Sequence, residues 1–268
     1  MYFRFRKGLW AATIAIALSG LCSARELRVC ADPDNLPFSN RQERGFENRL
    51  AQLVSGELNL HLTYEWQRMG RGFVREYLDG SRCDLLIGIP SKFKPVLTTA
   101  PYYRSSYVFV TRRDYSPQPQ SLNDPALRRM KIGVQVLEED YTPPATALAR
   151  RHLEAQIVGF ETTGADADSI IRAVAEGRVD TAIVWGPLAG FFARRYRNEL
   201  ELTALTPALD PPALPFTFSI SMGVRRGETA MRDRLDQVLA RRRRDIDRIL
   251  DEYGVPQLPL PENGRLGG

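Results

Sequence analysis

The chain has 268 residues, which exceeds the usual size of a domain with a single core and suits two lobes. Its 37 basic and 32 acidic residues give a net charge of +5, but three of the cations lie within residues 1–24. The rest of the chain has 34 basic residues against 32 acidic ones, an excess of +2. The charge therefore gives no reason to expect a nucleic-acid partner.

The N-terminus has the order of a secretory signal peptide. A basic segment over 4–7 precedes an uncharged apolar run over 8–21, and small residues over 22–24 follow it. The run is shorter than the roughly 20 residues that a membrane-spanning helix needs. We therefore expect residues 1–24 to be removed on export to the periplasm, with no stable membrane insertion. The alternative, a lipid anchor on Cys22, is disfavoured by the bulky leucine before it.

Two cysteines, Cys30 and Cys83, lie outside the predicted signal peptide. Cys30 ends one apolar strand-like run and Cys83 directly precedes another, so neighbouring parallel strands could bring them within bridging distance. An even number of cysteines in an oxidising compartment favours a disulfide, which would contribute about 3–4 kcal/mol. Two buried free thiols are the alternative. We expect no metal site, because no histidine is close in sequence to either cysteine.

Strand and helix signals alternate along the first part of the chain. In order, we predict a strand over 27–31, a turn over 32–35, a helix over 46–58, a strand over 60–66 and a helix over 73–78. A wholly apolar strand over 85–89 follows, as expected in a sheet that is covered on both faces. A long extended segment over 105–111 then leads out of this unit.

After a Pro-rich loop around 116–119 the alternation restarts. We predict strands over 131–134, 156–160 and 179–185, helices over 144–155, 167–176 and 188–196, an extended segment over 216–224 and one long helix over 231–253. Two α/β units with two extended crossovers predict the type II periplasmic-binding-protein fold, in which two α/β lobes are joined by two hinge strands. We assign 25–112 with 216–268 to lobe 1 and 113–215 to lobe 2. The ligand site of such a fold is the cleft between the lobes, which the carboxyl ends of the parallel strands face.

Several segments carry a resemblance to a known family. Those over 36–38, 45–47, 83–88, 98–102 and 179–184 resemble the extracellular solute-binding proteins of the polar amino-acid type. Longer segments over 27–40, 71–75, 80–84 and 97–110 resemble MxaJ and XoxJ, periplasmic accessory proteins of methanol-oxidation clusters. This resemblance implies a quinoprotein methanol dehydrogenase as partner, and in the XoxJ branch a lanthanide-dependent one. The matching segments leave the choice between the two branches open.

The resemblance also implies where an amino-acid ligand would bind. The family places an arginine for the α-carboxylate shortly after the strand that ends near Pro90, where this chain has Lys92 and Lys94. It places an acid for the α-amine at the end of the second-lobe strand, where this chain has Trp185. Because a zwitterion that leaves water needs both ends paired, both departures disfavour an amino-acid ligand.

Aromatic and charged residues are the candidates for the cleft instead. The predicted binding residues are Asp32, Phe38, Trp66, Arg71, Tyr102, Tyr103, Arg104 and Trp185. Tyr, Trp and Arg are enriched at protein-interaction hot spots. A core role is the alternative for Trp66 and Tyr102, and capping of the turn before Pro33 is the alternative for Asp32. We predict that the cleft accepts a partner segment or a peptide-like or apolar ligand, with a transporter-linked receptor for a small polar solute as the alternative.

Catalysis is poorly supported, and we expect neither an enzyme nor a cofactor. The two histidines, His61 and His152, are expected on the surface, and no serine lies in a GxSxG turn. The acids over 138–140 are expected in a solvated loop, with a calcium or lanthanide site as the weaker alternative. The arginines over 241–244 are expected to pair with acids of the same helix, and docking to an acidic partner is the alternative.

Overall fold

A computed structural model describes residues 25–261 apart from Met69, Arg71, Glu138 and Glu139. The predicted signal peptide, the candidate residue Arg71 and most of the acidic loop therefore lie outside the described residues. Among the residues that are described, no helix is long and apolar enough to cross a membrane.

The strands follow the predicted alternation closely. Those of the first part are β1 Glu26–Ala31, β2 Asp34–Asn35, β3 Ser39–Asn40, β4 His61–Trp66, β5 Leu85–Pro90, β6 Leu97–Thr98 and β7 Tyr103–Arg112. Those of the second part are β8 Ile132–Leu137, β9 Asp140–Tyr141, β10 Ile157–Phe160, β11 Thr181–Trp185, β12 Leu200–Ala204, β13 Leu209–Asp210, β14 Leu214–Pro215 and β15 Thr217–Val224.

Six α-helices lie within the described part of the chain. They are α1 Phe46–Leu58, α2 Pro143–Ala149, α3 Ser169–Ala175, α4 Gly186–Ala193, α5 Thr229–Arg241 and α6 Arg243–Glu252. The helix predicted over 73–78 is a π-helical turn over Val74–Asp79. Short 3-10 helices cover Pro125–Arg129, Glu154–Gln156, Gly164–Asp166 and Arg194–Tyr196.

Two strands, β7 and β15, connect the halves of the sheet. Parallel β4, β1 and β5 form one half, and parallel β10, β8 and β11 form the other. The first residues of β7 pair antiparallel with the first residues of β15, whereas the rest of β7 pairs with β11 and β12 and the rest of β15 pairs with β5. The fold is thus two α/β lobes joined by two hinge strands, as predicted. The lobe boundaries after residues 112 and 215 stay a prediction.

Each lobe has its own core. In lobe 1, α1, α5 and α6 cover one face of the sheet around Leu50, Leu85 and Ile246. In lobe 2, α3 and α4 pack on one face, and the buried residues of α2 pack on the other. A smaller cluster on the second face of lobe 1 contains Cys30 and Cys83, whose Cα atoms lie 5.5 Å apart in a disulfide. The predicted bridge is confirmed.

Two helix predictions were too long. The helix that begins at Pro143 ends at Ala149, because His152 takes a positive φ of 56° and turns the chain back. The amides of His152 and Leu153 then donate to the carbonyls of Ala149 and Leu148, which is a Schellman C-cap formed without glycine.

The single helix predicted over 231–253 is two helices. They meet at Arg242, whose φ of −101° and ψ of 20° interrupt the helical geometry. Its guanidinium bonds Asp245 in the first turn of α6 and Glu57 of α1, at 2.6 Å to each. Strand β12 had no counterpart in the sequence prediction.

Candidate functional site

Trp185 is the side chain on which the two lobes meet. It ends β11, and its half-buried indole packs against the main core of lobe 1 and against a core of lobe 2. Its ring stands edge-on to Tyr107 of β7 at 5.4 Å and to Phe218 of β15 at 5.8 Å, measured between ring centroids. A tryptophan thus lies against both hinge strands.

A buried glutamine holds Trp185 in place. The amide oxygen of Gln135 accepts a hydrogen bond from the Trp185 backbone N–H at 2.8 Å, and its amide nitrogen donates to the Thr162 hydroxyl at 3.1 Å. The Thr142 hydroxyl donates to the Gln135 carbonyl. Gln135 was not predicted as a site residue, although a polar residue within an otherwise apolar strand was an available signal.

Aromatic rings continue from the hinge into lobe 1. Phe38 lies 5.4 Å from Phe46, and Phe46 lies 6.2 Å from Tyr103, which in turn lies 5.2 Å from Tyr102. Both tyrosines are about 1% exposed and pack in the main core of lobe 1, which is the alternative given above for Tyr102. Their role in binding stays a prediction. Burial raises the pKa of both phenols well above the ordinary value, so both stay neutral.

Glu47 is a buried carboxyl group beside these rings. It is 8% exposed, and a Cβ added to Gly88 would lie 1.9 Å from its Oε1 atom. The carboxyl therefore packs directly on the backbone of Gly88, whose φ is +84°. Burial first, and then the negative charge of Asp32, raise the pKa of Glu47 to about 8. At neutral pH this group is mostly protonated. The sequence analysis treated Glu47 only as part of a helix start.

Asp32 follows β1 directly and is 8% exposed. Its Oδ1 atom accepts a hydrogen bond from the Asp34 backbone N–H at 2.9 Å. This is the turn-capping contact that the sequence analysis gave as the alternative to ligand binding.

The remaining candidates lie apart from Trp185. Trp66 ends the edge strand β4, where it stacks on Tyr64 at 4.5 Å and lies beneath Arg41 at 6.0 Å. Arg104 is held by the C-terminal segment, since its carbonyl accepts from the Leu258 N–H and its guanidinium donates to the Pro259 carbonyl.

The lobes also touch at the C-terminal end of α6. A Cβ added to Gly190 of α4 would lie 1.9 Å from the Gly254 carbonyl oxygen, so two backbones meet there. Beside this contact Phe191 stacks on Tyr253 at 5.7 Å, and the Ser105 hydroxyl donates to the C-terminal segment. The lobes are therefore joined by a packed contact in addition to the hinge strands.

A third contact lies at the β2–β3 hairpin. A Cβ added to Gly164 of lobe 2 would lie 2.9 Å from the Asp34 carboxylate of lobe 1. Leu36, in the same hairpin, packs against a core of lobe 2. None of these interlobe contacts was predicted from the sequence.

Potential metal ligands do not gather in the described part of the chain. His61 and His152 are both exposed, as predicted. No group of three or more His, Cys, Asp or Glu side chains among the described residues could hold a metal ion.

Comparison with known proteins identifies the family. The family model of the bacterial extracellular solute-binding proteins, family 3, matches residues 27–256. The chain belongs to this family. The family 3 assignment agrees with the two lobes and the hinge strands, and it confirms the resemblance to solute-binding proteins.

Three relatives are similar over nearly the whole chain. Protein MoxJ of Paracoccus denitrificans is 32% identical over 274 residues, which cover 96% of this chain and 98% of that protein. The crystal structure of XoxJ from Methylobacterium extorquens AM1 is 38% identical, with a TM-score of 0.70, and covers 87% of this chain and 99% of its own. The crystal structure of MxaJ from Methlophaga aminisulfidivorans MPT is 25% identical, with a TM-score of 0.77, and covers 87% of this chain and 100% of its own.

Proposed function

We propose that this family 3 protein is a periplasmic accessory binding protein of a PQQ-dependent methanol dehydrogenase. Similarity to MoxJ, MxaJ and XoxJ supports the system. The higher identity to XoxJ, at 38% against 25% for MxaJ, favours the lanthanide-dependent branch.

The cleft binds a segment of the protein partner or an apolar or peptide-like ligand, and the observation that carries this proposal is Trp185. An amino-acid receptor of this family needs an acid at that position, but here a half-buried tryptophan stands between the two cores. An indole supplies no negative charge to neutralise an α-ammonium group, whereas an apolar ligand needs no such partner.

The protein acts by binding rather than by catalysis. Its two histidines are exposed and lie on different lobes, on β4 and after α2. The match to the family of bacterial extracellular solute-binding proteins supports binding as the activity.

The test is titration of the mature protein against purified methanol dehydrogenase by biolayer interferometry. Trp185→Ala is compared with Tyr196→Ala, because both are half-buried aromatic residues of lobe 2 and Tyr196 is not a predicted binding residue. We expect the Trp185 variant to weaken binding by at least about tenfold, as for a hot-spot residue, and the Tyr196 variant to bind within about twofold of wild type. Thermal unfolding of both variants checks that they are folded.

The alternative function is reception of a small polar solute for a transporter. Calorimetric titration with a panel of free amino acids tests it on the same protein. Tight binding of an amino acid, together with no binding of the dehydrogenase, would replace our proposal with this alternative.

A further inference from the structure

A pocket of about 650 Å³ opens on lobe 1, and we refer to it as the outer pocket. The buried side chains of Leu86 and Ile89 of β5 line it. They pack in the smaller cluster around the disulfide, whereas Leu85 and Ile87 of the same strand pack in the main core beside α1. The outer pocket therefore lies on the opposite face of β5 from α1, and all the described residues that line it belong to lobe 1.

The wall of the outer pocket is apolar, and a stacked aromatic pair and a disulfide lie in the cluster that forms it. Phe73 lines it and stacks on Tyr77 at 5.2 Å. Cys30 and Cys83 pack in the same cluster as Phe73, so the disulfide ties together the strand and the loop beneath the pocket. A covalent bridge and a stacked pair keep this cavity formed without a ligand.

An exposed phenylalanine stands at the rim. Phe93 is 39% exposed and also lines the outer pocket. Its loop is fixed, because the Ser91 N–H donates to the Ser219 carbonyl of β15 at 2.8 Å and the Arg226 Nε donates to the Lys94 carbonyl at 3.1 Å. An apolar side chain is thus held in solvent next to an apolar cavity.

The charges around the outer pocket are cationic and unpaired. Lys92 and Lys94 flank Phe93, and Arg75 and Arg226 line the pocket. None of these four cations forms an ion pair with a described residue, and Asp79 is the one acid among the described lining residues.

The conspicuous arginine run of the sequence differs in this respect. Arg241 and Arg242 pair with Glu57, and Arg243 pairs with Asp247 at 2.7 Å. These three arginines are thus paired with acids, whereas no described acid pairs with the four cations at the outer pocket.

We propose that the outer pocket docks an acidic surface of a partner protein, which inserts an apolar side chain beside Phe93. The concave apolar cavity selects a single side chain over a flat lipid surface, and the four cations select an acidic surround. The proposed function is needed only to identify this partner as the methanol dehydrogenase.

The test uses charge reversal on the intact mature protein. Lys92→Glu/Lys94→Glu and, separately, Phe93→Ser are titrated against methanol dehydrogenase at low and at physiological salt. Arg129→Glu/Lys131→Glu is the matched control, since it makes the same charge change at two exposed positions of lobe 2. All five substituted positions are exposed, so each variant is expected to fold, and circular dichroism verifies it.

We expect charge reversal to weaken binding by about tenfold or more, mainly through slower association and with a flatter dependence on salt. Phe93→Ser should weaken binding through faster dissociation, and the control should bind within about twofold of wild type. Equal binding by all variants would overturn the proposal, and so would binding of wild type to phosphatidylglycerol vesicles in place of any protein.

A second probe separates this proposal from the proposed function. If wild type does not bind the dehydrogenase, the proposed function fails, and a fluorescein-labelled peptide of alternating glutamates and phenylalanines then tests the outer pocket alone. Binding of this peptide that is lost on Lys92→Glu/Lys94→Glu supports the outer pocket. No binding, or equal binding of a lysine–phenylalanine peptide, overturns it.

Discussion

Replacement of Glu47 by glutamine should change how the stability of the protein depends on pH. Glu47 is buried, and its pKa is raised from 4.5 to about 8. Between these values the folded protein keeps the proton, whereas the unfolded chain releases it. The unfolded state therefore binds fewer protons, and this residue lowers the free energy of unfolding as pH rises from 4.5 to about 8.

The size of the effect follows from the shift. Each pKa unit corresponds to 1.36 kcal/mol, so the full shift corresponds to about 5 kcal/mol, and we expect at least ~1 kcal/mol to be measured. Glutamine cannot ionise and nearly matches the shape of the protonated acid. The variant should therefore gain stability relative to wild type as pH rises through this window, and the difference should level off above about pH 8.

Urea unfolding followed by tryptophan fluorescence, at several pH values between 4.5 and 9, measures this difference. Glu154→Gln is the control, because Glu154 is exposed on lobe 2. Parallel curves for wild type and Glu47→Gln across the whole range would refute the reasoning, since they would mean that Glu47 is ionised in the folded protein.

Three further results are expected. Cys30→Ser/Cys83→Ser removes a bridge between residues 53 apart and should lower the free energy of unfolding, measured in urea, by about 4 kcal/mol. An unchanged free energy would contradict this. Gly190→Ala places a Cβ against the Gly254 carbonyl and should lower the stability by about 1–3 kcal/mol, which thermal unfolding measures. An unchanged unfolding midpoint would contradict this. Asp84→Asn should lower the free energy of unfolding by about 1–2 kcal/mol at neutral pH. Burial raises the pKa of Asp84, but hydrogen bonds from two arginines outweigh it and lower the pKa below 3.8, so the loss should shrink as pH falls toward and below 3.8. A loss that does not change with pH would refute this.

Elements with local end signals were predicted well. The bounds of α1 follow from Gly45 before it and Asn59 after it, which takes the left-handed conformation that ends a helix. The end of α2 was not predictable in this way, because the left-handed residue there is His152 and not glycine or asparagine. The break at Arg242 depends on a carboxylate of α1, which no local pattern reveals.

The site was predicted in part, for a similar reason. The position of Trp185 at the end of a strand could be inferred from periodicity, and the structure places it between the cores. The burial of Glu47 could not be inferred from the sequence, since it depends on a contact with Gly88 of β5. The outer pocket arises from segments that are distant in sequence, and its cations are dispersed along the chain, so no charge run marked it.

The close approach of Gly190 and Gly254 bears on how occupancy of the cleft could be sensed. A transporter receptor signals that it is loaded by changing from an open to a closed shape. Here two backbones and the Asp34–Gly164 contact already join the lobes. We therefore expect X-ray scattering to give the same radius of gyration with and without an apolar or peptide-like ligand in the cleft. A protein of constant shape is better suited to holding a partner protein than to signalling to a transporter that a solute is bound.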